Sequence, residues 1–195
     1  MADYDSLRFT AVEELRALLG GVDARQVEGL ADALTSARGV FVAGAGRSGL
    51  AMRGFAMRLM HMGIAASVVG DVTTPAFSAS DLLVVGSGSG ATGTLVAFAE
   101  KAKKVGGRVA LLTTDPGSPI GRAADVVVRI PAPSPKAAPT GAGGSAAGGP
   151  LTSAQPMASL FEQGLWILLD SCIMLLMARR RMTTEQMFGR HANLE

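Results

Sequence analysis

Five short apolar runs punctuate this chain: VFVAG at 40–44, SVV at 67–69, DLLVVG at 81–86, RVALLTT at 108–114 and DVVVRI at 125–130. They are rich in β-branched residues and too short for helices, which suits strands buried on both faces. Between them lie segments of helical period, 48–62 with Gly63 as its stop and 92–105. Strand, helix and strand joined by short links require a parallel sheet with helices on both faces. Two amphipathic helices precede the first strand, at 4–19 and 23–37, the second capped by Asp23. A long apolar helix begins near Pro156 and ends near Arg181, where three arginines complement its C-terminus. The tail TTEQMFGRHANLE adds a short helix. The fold class read from this pattern is α/β: a three-layer αβα sandwich around a five-stranded parallel sheet.

Residues 131–155 break the pattern, being Pro-, Gly-, Ala- and Ser-rich with a single charge. They read as a flexible insertion in one domain spanning 1–195, because the helix that follows is too little to fold alone. Hydrophobic residues make up 48% of the chain and charged residues 17%, a globular composition. Aromatics reach only 5% and the net charge is +2 without a basic block, so no nucleic-acid partner is expected. The lone Cys172 excludes an internal disulfide and is expected to be inert packing. The first 20 residues lack an apolar run of signal-peptide type. The apolar stretch 165–178 is interrupted by Asp170 and reads as a buried helix too short for a membrane span, so no membrane is expected and the location is cytoplasmic.

Two glycine loops carry the chemistry. AGAGRSG at 43–49 contains G-x-G-x-x-G between a strand and a helix, with Asp71 22 residues past Gly49. Alone, that pattern fits a dinucleotide. The second loop, SGSGAT at 87–92, also joins a strand to a helix. Its glycines admit an anion close to the backbone, its hydroxyls donate hydrogen bonds, and the helix N-terminus adds free amides. Lacking the Gly-Lys-Ser/Thr of a nucleotide loop, it reads as a cradle for one phosphate group. Two such loops at neighbouring strand ends enclose a small site at the carboxyl edge of the sheet.

The stretches AGAGRSGLAMRGFAMRLMHMG, GDVTTP, VVGSGSGAT, LLTTDPGSPIGRAAD, QPMASLFEQ and RHANLE together resemble the 6-phospho-3-hexuloisomerases of the sugar isomerase (SIS) domain superfamily. The resemblance runs from about residue 4 to the end and fails at 131–155, where a shorter loop is expected. It implies a flavodoxin-like SIS sheet and interconversion of 3-hexulose 6-phosphate and fructose 6-phosphate through a cis-enediol, with no cofactor and no metal. It implies the ribulose monophosphate pathway of formaldehyde fixation, a hexulose-phosphate synthase as pathway neighbour, and a homotetramer. The apolar helix, hydrophobic almost all round, independently suggests cover by another copy.

Carried onto this chain, the resemblance assigns phosphate binding to Ser48, Ser87, Ser89 and Thr92 with the amides of Ser87, Gly88, Ser89, Gly90, Ala91 and Thr92. It assigns the base to Glu162, whose helical neighbours Leu165, Trp166 and Leu169 make an apolar face that would desolvate the carboxylate. The alternative is a structural Glu bonded to backbone or to an arginine. Asp170, eight residues on, is too distant for a direct dyad and reads as a packing acid. His61 near a helix end and His191 in the tail are each either structural or solvent groups, or acid/base partners; the tail could cover a neighbouring subunit's site. Arg47 either positions the sugar or its phosphate, or makes a surface ion pair, and Asp71 caps the turn at 73–75. Competing functions are another SIS-type isomerase, a sugar-phosphate sensor and a nicotinamide-dependent oxidoreductase. The 195 residues leave no room for the paired CBS domains or the DNA-binding domain usual in the first two.

Overall fold

A computed structural model describes residues 3–133 and 152–194. Two helices, α1 (Tyr4–Gly20) and α2 (Ala24–Ser36), lead into β1 (Val40–Gly44), α3 (Gly46–His61), β2 (Ala66–Val68), β3 (Leu82–Gly86), α4 (Gly93–Val105), β4 (Arg108–Thr113), α5 (Pro119–Ala123) and β5 (Val126–Arg129). After the undescribed segment come α6 (Ser159–Arg180) and α7 (Thr184–Phe188). The five strands are parallel in the order β2-β1-β3-β4-β5. The strand pattern of the sequence is therefore the sheet, with no end shifted by more than one residue.

Side-chain alternation splits the core in two. Val40, Val42, Leu82, Val84, Ala110 and Leu112 face α1, α2, α3 and α6. Phe41, Ala43, Leu83, Val85, Val109 and Leu111 face α4 and α5. Burial on both faces is why these strands read as continuous apolar runs.

Three expectations need correction. Helix α6 starts at Ser159, not near Pro156, because Met157 sits at φ +57, a left-handed conformation that cannot lie inside a helix. At 22 residues α6 meets the length and apolarity of a membrane span, so "too short" was the wrong ground. It is nonetheless packed in the domain, with Leu160, Phe161, Leu165, Leu169, Cys172 and Leu176 buried. The five-residue α5 was not anticipated, although Ser118 caps it, accepting from the Gly121 N–H at 3.2 Å, with Pro119 in its first turn. Of the insertion at 131–155, residues 134–151 lie outside the described residues. Its last residues are tied to α1: Ser153 Oγ and the Ala154 N–H each donate to the Glu14 carboxylate at 2.7 Å.

Candidate active site

The strand order reverses between β1 and β3, since the chain leaves β1 toward β2 on one side and returns to β3 on the other. At such a switch point the outgoing loops part and leave a crevice at the carboxyl ends. Gly44 and Gly86 are register partners, so both glycine loops open from the same level of the sheet.

In the first loop, Gly44 and Gly49 exist for close approach. A Cβ on Gly49 would lie 2.8 Å from the Gly44 carbonyl oxygen, and one on Gly44 would lie 2.9 Å from the Gly49 Cα. Helix α3 thus starts directly on the end of β1. Its N-cap, Ala45, makes no side-chain cap bond, so the first amides face the crevice, with Arg47 exposed and Ser48 half-buried beside them.

The second loop is wound on itself. Buried Ser87 accepts the Gly90 N–H on its hydroxyl at 3.2 Å, and the Ser89 hydroxyl accepts the Ala91 N–H at 3.3 Å. Thr92 is the N-cap of α4 and makes no side-chain cap bond, leaving its hydroxyl and the first amides of the helix open to an anion. Ser48 follows the end of β1, and Ser87, Gly88, Ser89, Gly90, Ala91 and Thr92 follow the end of the adjacent β3.

Glu162 joins them. It lies in the first turn of α6, a favourable place for a carboxylate, rather than a turn and a half in. Its neighbours seat it beside the second loop: Phe161 underlies Gly88, where an added Cβ would lie 3.3 Å from the ring, and Leu165 underlies Gly86 at 3.0 Å. Its side chain is 18% exposed. The expected surroundings, a purely apolar face, are not what it meets. Arg47 Nε donates to Glu162 Oε2 at 2.5 Å across 115 residues of sequence. Of the alternatives for Arg47 the ion pair is the one present, and its partner Glu162 has the arginine contact given as the structural alternative for that carboxylate.

The histidines are gathered elsewhere. His61, 3% exposed, stacks on His191 with ring centroids 5.3 Å apart, and Phe188 also stacks on His191 at 5.7 Å. They line a cavity of about 350 Å³ with Arg58, Asp170 and Met174. His61 is 14 residues beyond Arg47 on one helix, about 21 Å along its axis. Within one chain neither histidine reaches Glu162. Asp170 is exposed at this cavity, not the packing acid expected, because its position on α6 faces away from the sheet.

Burial, then the charges of Arg58 and His191, hold the His61 imidazole below its ordinary value of 6.5. A lowered folded-state value means the unfolded chain binds the proton more tightly. His61 thus costs nothing above pH 6.5, and stability falls as pH drops below that value. Thermal melts at pH 7.5 and 5.5 are expected to give a lower Tm at the acid value, and a smaller difference in His61→Gln. An equal difference in both proteins would remove His61 as the cause.

Asp71 is committed to Arg53, which donates to both carboxylate oxygens at 2.6 and 3.1 Å. It does not cap the following turn with its side chain; its backbone carbonyl does so, accepting the Thr74 N–H at 3.0 Å. The carboxylate that made a dinucleotide attractive is therefore paired with an arginine. Burial pushes the Cys172 thiol up to about 12, which keeps it protonated and unreactive. Among the described residues no group of three or more His, Cys, Asp or Glu could hold a metal ion. Thr113 and Thr114, which bind the second loop from below, carried no role in the sequence reading. No local signal marks them, because only the pairing of β3 with β4 brings them there.

Residues 33–154 match the SIS domain family. The chain is 44% identical over 184 residues to the 3-hexulose-6-phosphate isomerase of Bacillus subtilis (strain 168), covering 94% of this chain and 95% of that one. It is 48% identical over 174 residues to the 3-hexulose-6-phosphate isomerase of Mycobacterium gastri, covering 89% and 82%. A crystal structure of a hypothetical protein from Methanococcus jannaschii, taken to infer a 3-hexulose-6-phosphate isomerase function, superposes with a TM-score of 0.80. The two are 29% identical, with 96% of this chain and 98% of that one covered. By sequence and by fold, the chain belongs to the SIS domain family.

Proposed function

We propose that this protein is an isomerase that interconverts 3-hexulose 6-phosphate and fructose 6-phosphate. The observation that carries the reading is the Glu162 carboxylate held beside an anion cradle by Arg47. Relatives named for this reaction at 44% and 48% identity fix the substrate class. The Ser87, Gly90 and Ala91 N–H groups donate within the protein, to the Leu112 carbonyl, Ser87 and Ser89 Oγ. The phosphate therefore occupies the remaining amides of the loop, those of Gly88, Ser89 and Thr92, with the hydroxyls of the loop and of Ser48, which leaves the sugar carbons over the start of α6. Glu162 removes the proton from C2 of the hexulose, alpha to the C3 carbonyl. Charge moves to O3, a proton passes from the C2 hydroxyl to O3 at the cis-enediol stage, and the proton held by Glu162 returns at C3 to leave the carbonyl at C2. No electrons leave the substrate, so the step needs no redox partner. As Glu162 gains the proton, its negative charge passes to the substrate oxygen. Arg47 then exchanges a carboxylate for an enediolate without moving far.

Arg47→Gln is therefore expected to lower kcat by about 10²-fold, the scale for losing one preorganised charge partner. Steady-state kinetics check this, and an unchanged kcat would return Arg47 to a surface ion pair. The overall reading is tested by coupling. Ribulose 5-phosphate, formaldehyde and a hexulose-phosphate synthase supply substrate, and fructose 6-phosphate is followed with no nicotinamide in the isomerase step. Formation at enzyme-like rates supports the reading; none at all would reject it. The pathway implied is ribulose monophosphate fixation of formaldehyde in the cytoplasm, with the synthase as neighbour.

The chain is further proposed to act as a homotetramer. Support comes from apolar side chains left open on adjoining α3 and α6: Leu50, Met57, Met60, Trp166 and Met174. The stacked His61 and His191 border this face and are proposed to serve as acid or ring-opening groups in a neighbouring subunit's crevice. A stable monomer by sedimentation at micromolar concentration would defeat both proposals.

A further inference from the structure

We propose that Thr113 and Thr114, at the end of β4, are positioning residues that aim the phosphate-binding amides of the second glycine loop. This rests on reading that loop as a phosphate cradle.

Three donors converge on one acceptor. The Gly88 carbonyl receives Thr113 Oγ1 at 2.9 Å, Thr114 Oγ1 at 2.8 Å and the Thr114 N–H at 3.0 Å. The Thr113 hydroxyl accepts the Asp115 N–H at 3.1 Å, which directs its own proton at Gly88. Thr113 is fully buried and Thr114 half-buried. Two peptides further, the Gly90 carbonyl receives the Ile120 N–H at 3.2 Å.

Both carbonyls therefore point down into the β4–α5 side. No peptide in the described chain is cis. In a planar trans peptide the N–H points opposite to the C=O. Fixing the Gly88 and Gly90 carbonyls downward therefore fixes the Ser89 N–H upward, onto the crevice, and the Ala91 N–H toward the Ser89 hydroxyl that accepts it. The loop needs this help because its alternate residues are glycine. Glycine tolerates both senses of a peptide flip. A flip of the 88–89 peptide would turn a carbonyl oxygen toward the phosphate and replace attraction by repulsion. Two side-chain hydroxyls from the neighbouring strand hold one orientation before the ligand arrives. The ordering cost is then met during folding and not during binding.

The test uses isosteric removal of each hydroxyl. Thr113→Val and Thr114→Val are each expected to raise the Kd for fructose 6-phosphate, by calorimetry, and the KM about tenfold, the effect of losing one such hydrogen bond. The value of kcat should stay within about threefold, because Glu162 and Arg47 are untouched. Thr114→Ser keeps the hydroxyl and should restore wild-type affinity. If Thr113→Val does not fold, Thr114→Val carries the test, since its side chain is only half-buried. Folded Val variants that bind fructose 6-phosphate like wild type overturn the proposal, as does loss of kcat at unchanged KM. A wild type that binds fructose 6-phosphate without turning it over defeats the isomerase reading alone, because the binding comparison still decides the clamp. A wild type that binds neither fructose 6-phosphate nor inorganic phosphate overturns the clamp's purpose.

Discussion

Glu162→Gln is expected to reduce kcat by about 10²–10⁴-fold while leaving the Kd for fructose 6-phosphate within about threefold. The range is what a positioned general base contributes. Gln fills nearly the same volume and still presents an oxygen to Arg47 Nε, so the first turn of α6 should keep its place. It cannot accept a proton from carbon. The proposed phosphate contacts lie on other elements, the α3 and α4 N-termini and the loop between β3 and α4, so binding is expected to survive. Steady-state kinetics beside calorimetry separate the two effects. A kcat within tenfold of wild type would move the base to another residue, with His61 and His191 the remaining titratable candidates. Loss of binding together with rate would make Glu162 a structural anchor of Arg47 instead.

Gly90→Ala is expected to damage both stability and binding. Gly90 sits at φ +56, which an L side chain adopts only at a cost. Its Cβ would lie 2.0 Å from Ser118 Oγ and 2.6 Å from Ser118 Cβ. Ser118 is 3% exposed and its hydroxyl caps α5, so it has no free direction to retreat. Backbone strain and overpacking together amount to about 2–4 kcal/mol. For a chain of this size that is a Tm loss on the order of 10 °C. A shifted loop would also misplace the amides, raising KM at least tenfold. Gly29→Ala is the matched control. It lies inside α2 with nothing within 4 Å of the added Cβ, and helix propensity predicts a gain of up to about 1 kcal/mol. Thermal melts of the two variants should move in opposite directions. Equal melts would mean that the second loop relaxes freely, and a preorganised cradle would be untenable.

The sheet was legible because burial on both faces leaves a mark in sequence: VFVAG and LLVVG are apolar throughout, and RVALLT is apolar between Arg108 and Thr113. The two glycine loops were legible because close approach demands glycine, as between Gly44 and Gly49. Contacts between distant segments were not. The Arg47–Glu162 pair spans 115 residues and depends on α6 returning over α3. The sequence could only offer Arg47 a sugar, a phosphate or an ion pair. The clamp on Gly88 crosses 25 and 26 residues and looks locally like ordinary strand-end threonines. Helix α6 was started too early because nothing in the type of Met157 announces a left-handed backbone. The stacking of His61 on His191 likewise exists only once α7 has folded back on α3.

The central claim is that the carbonyl moves between C3 and C2 of a phosphorylated hexulose by proton transfer at Glu162. Fructose 6-phosphate labelled with ¹³C at C3, incubated with the purified protein and no nicotinamide, tests it most directly by NMR. The account predicts that the labelled carbon acquires a ketone carbonyl resonance with wild type, and far more slowly with Glu162→Gln. A label that stays a secondary alcohol carbon, with fructose 6-phosphate bound but unchanged, would contradict it.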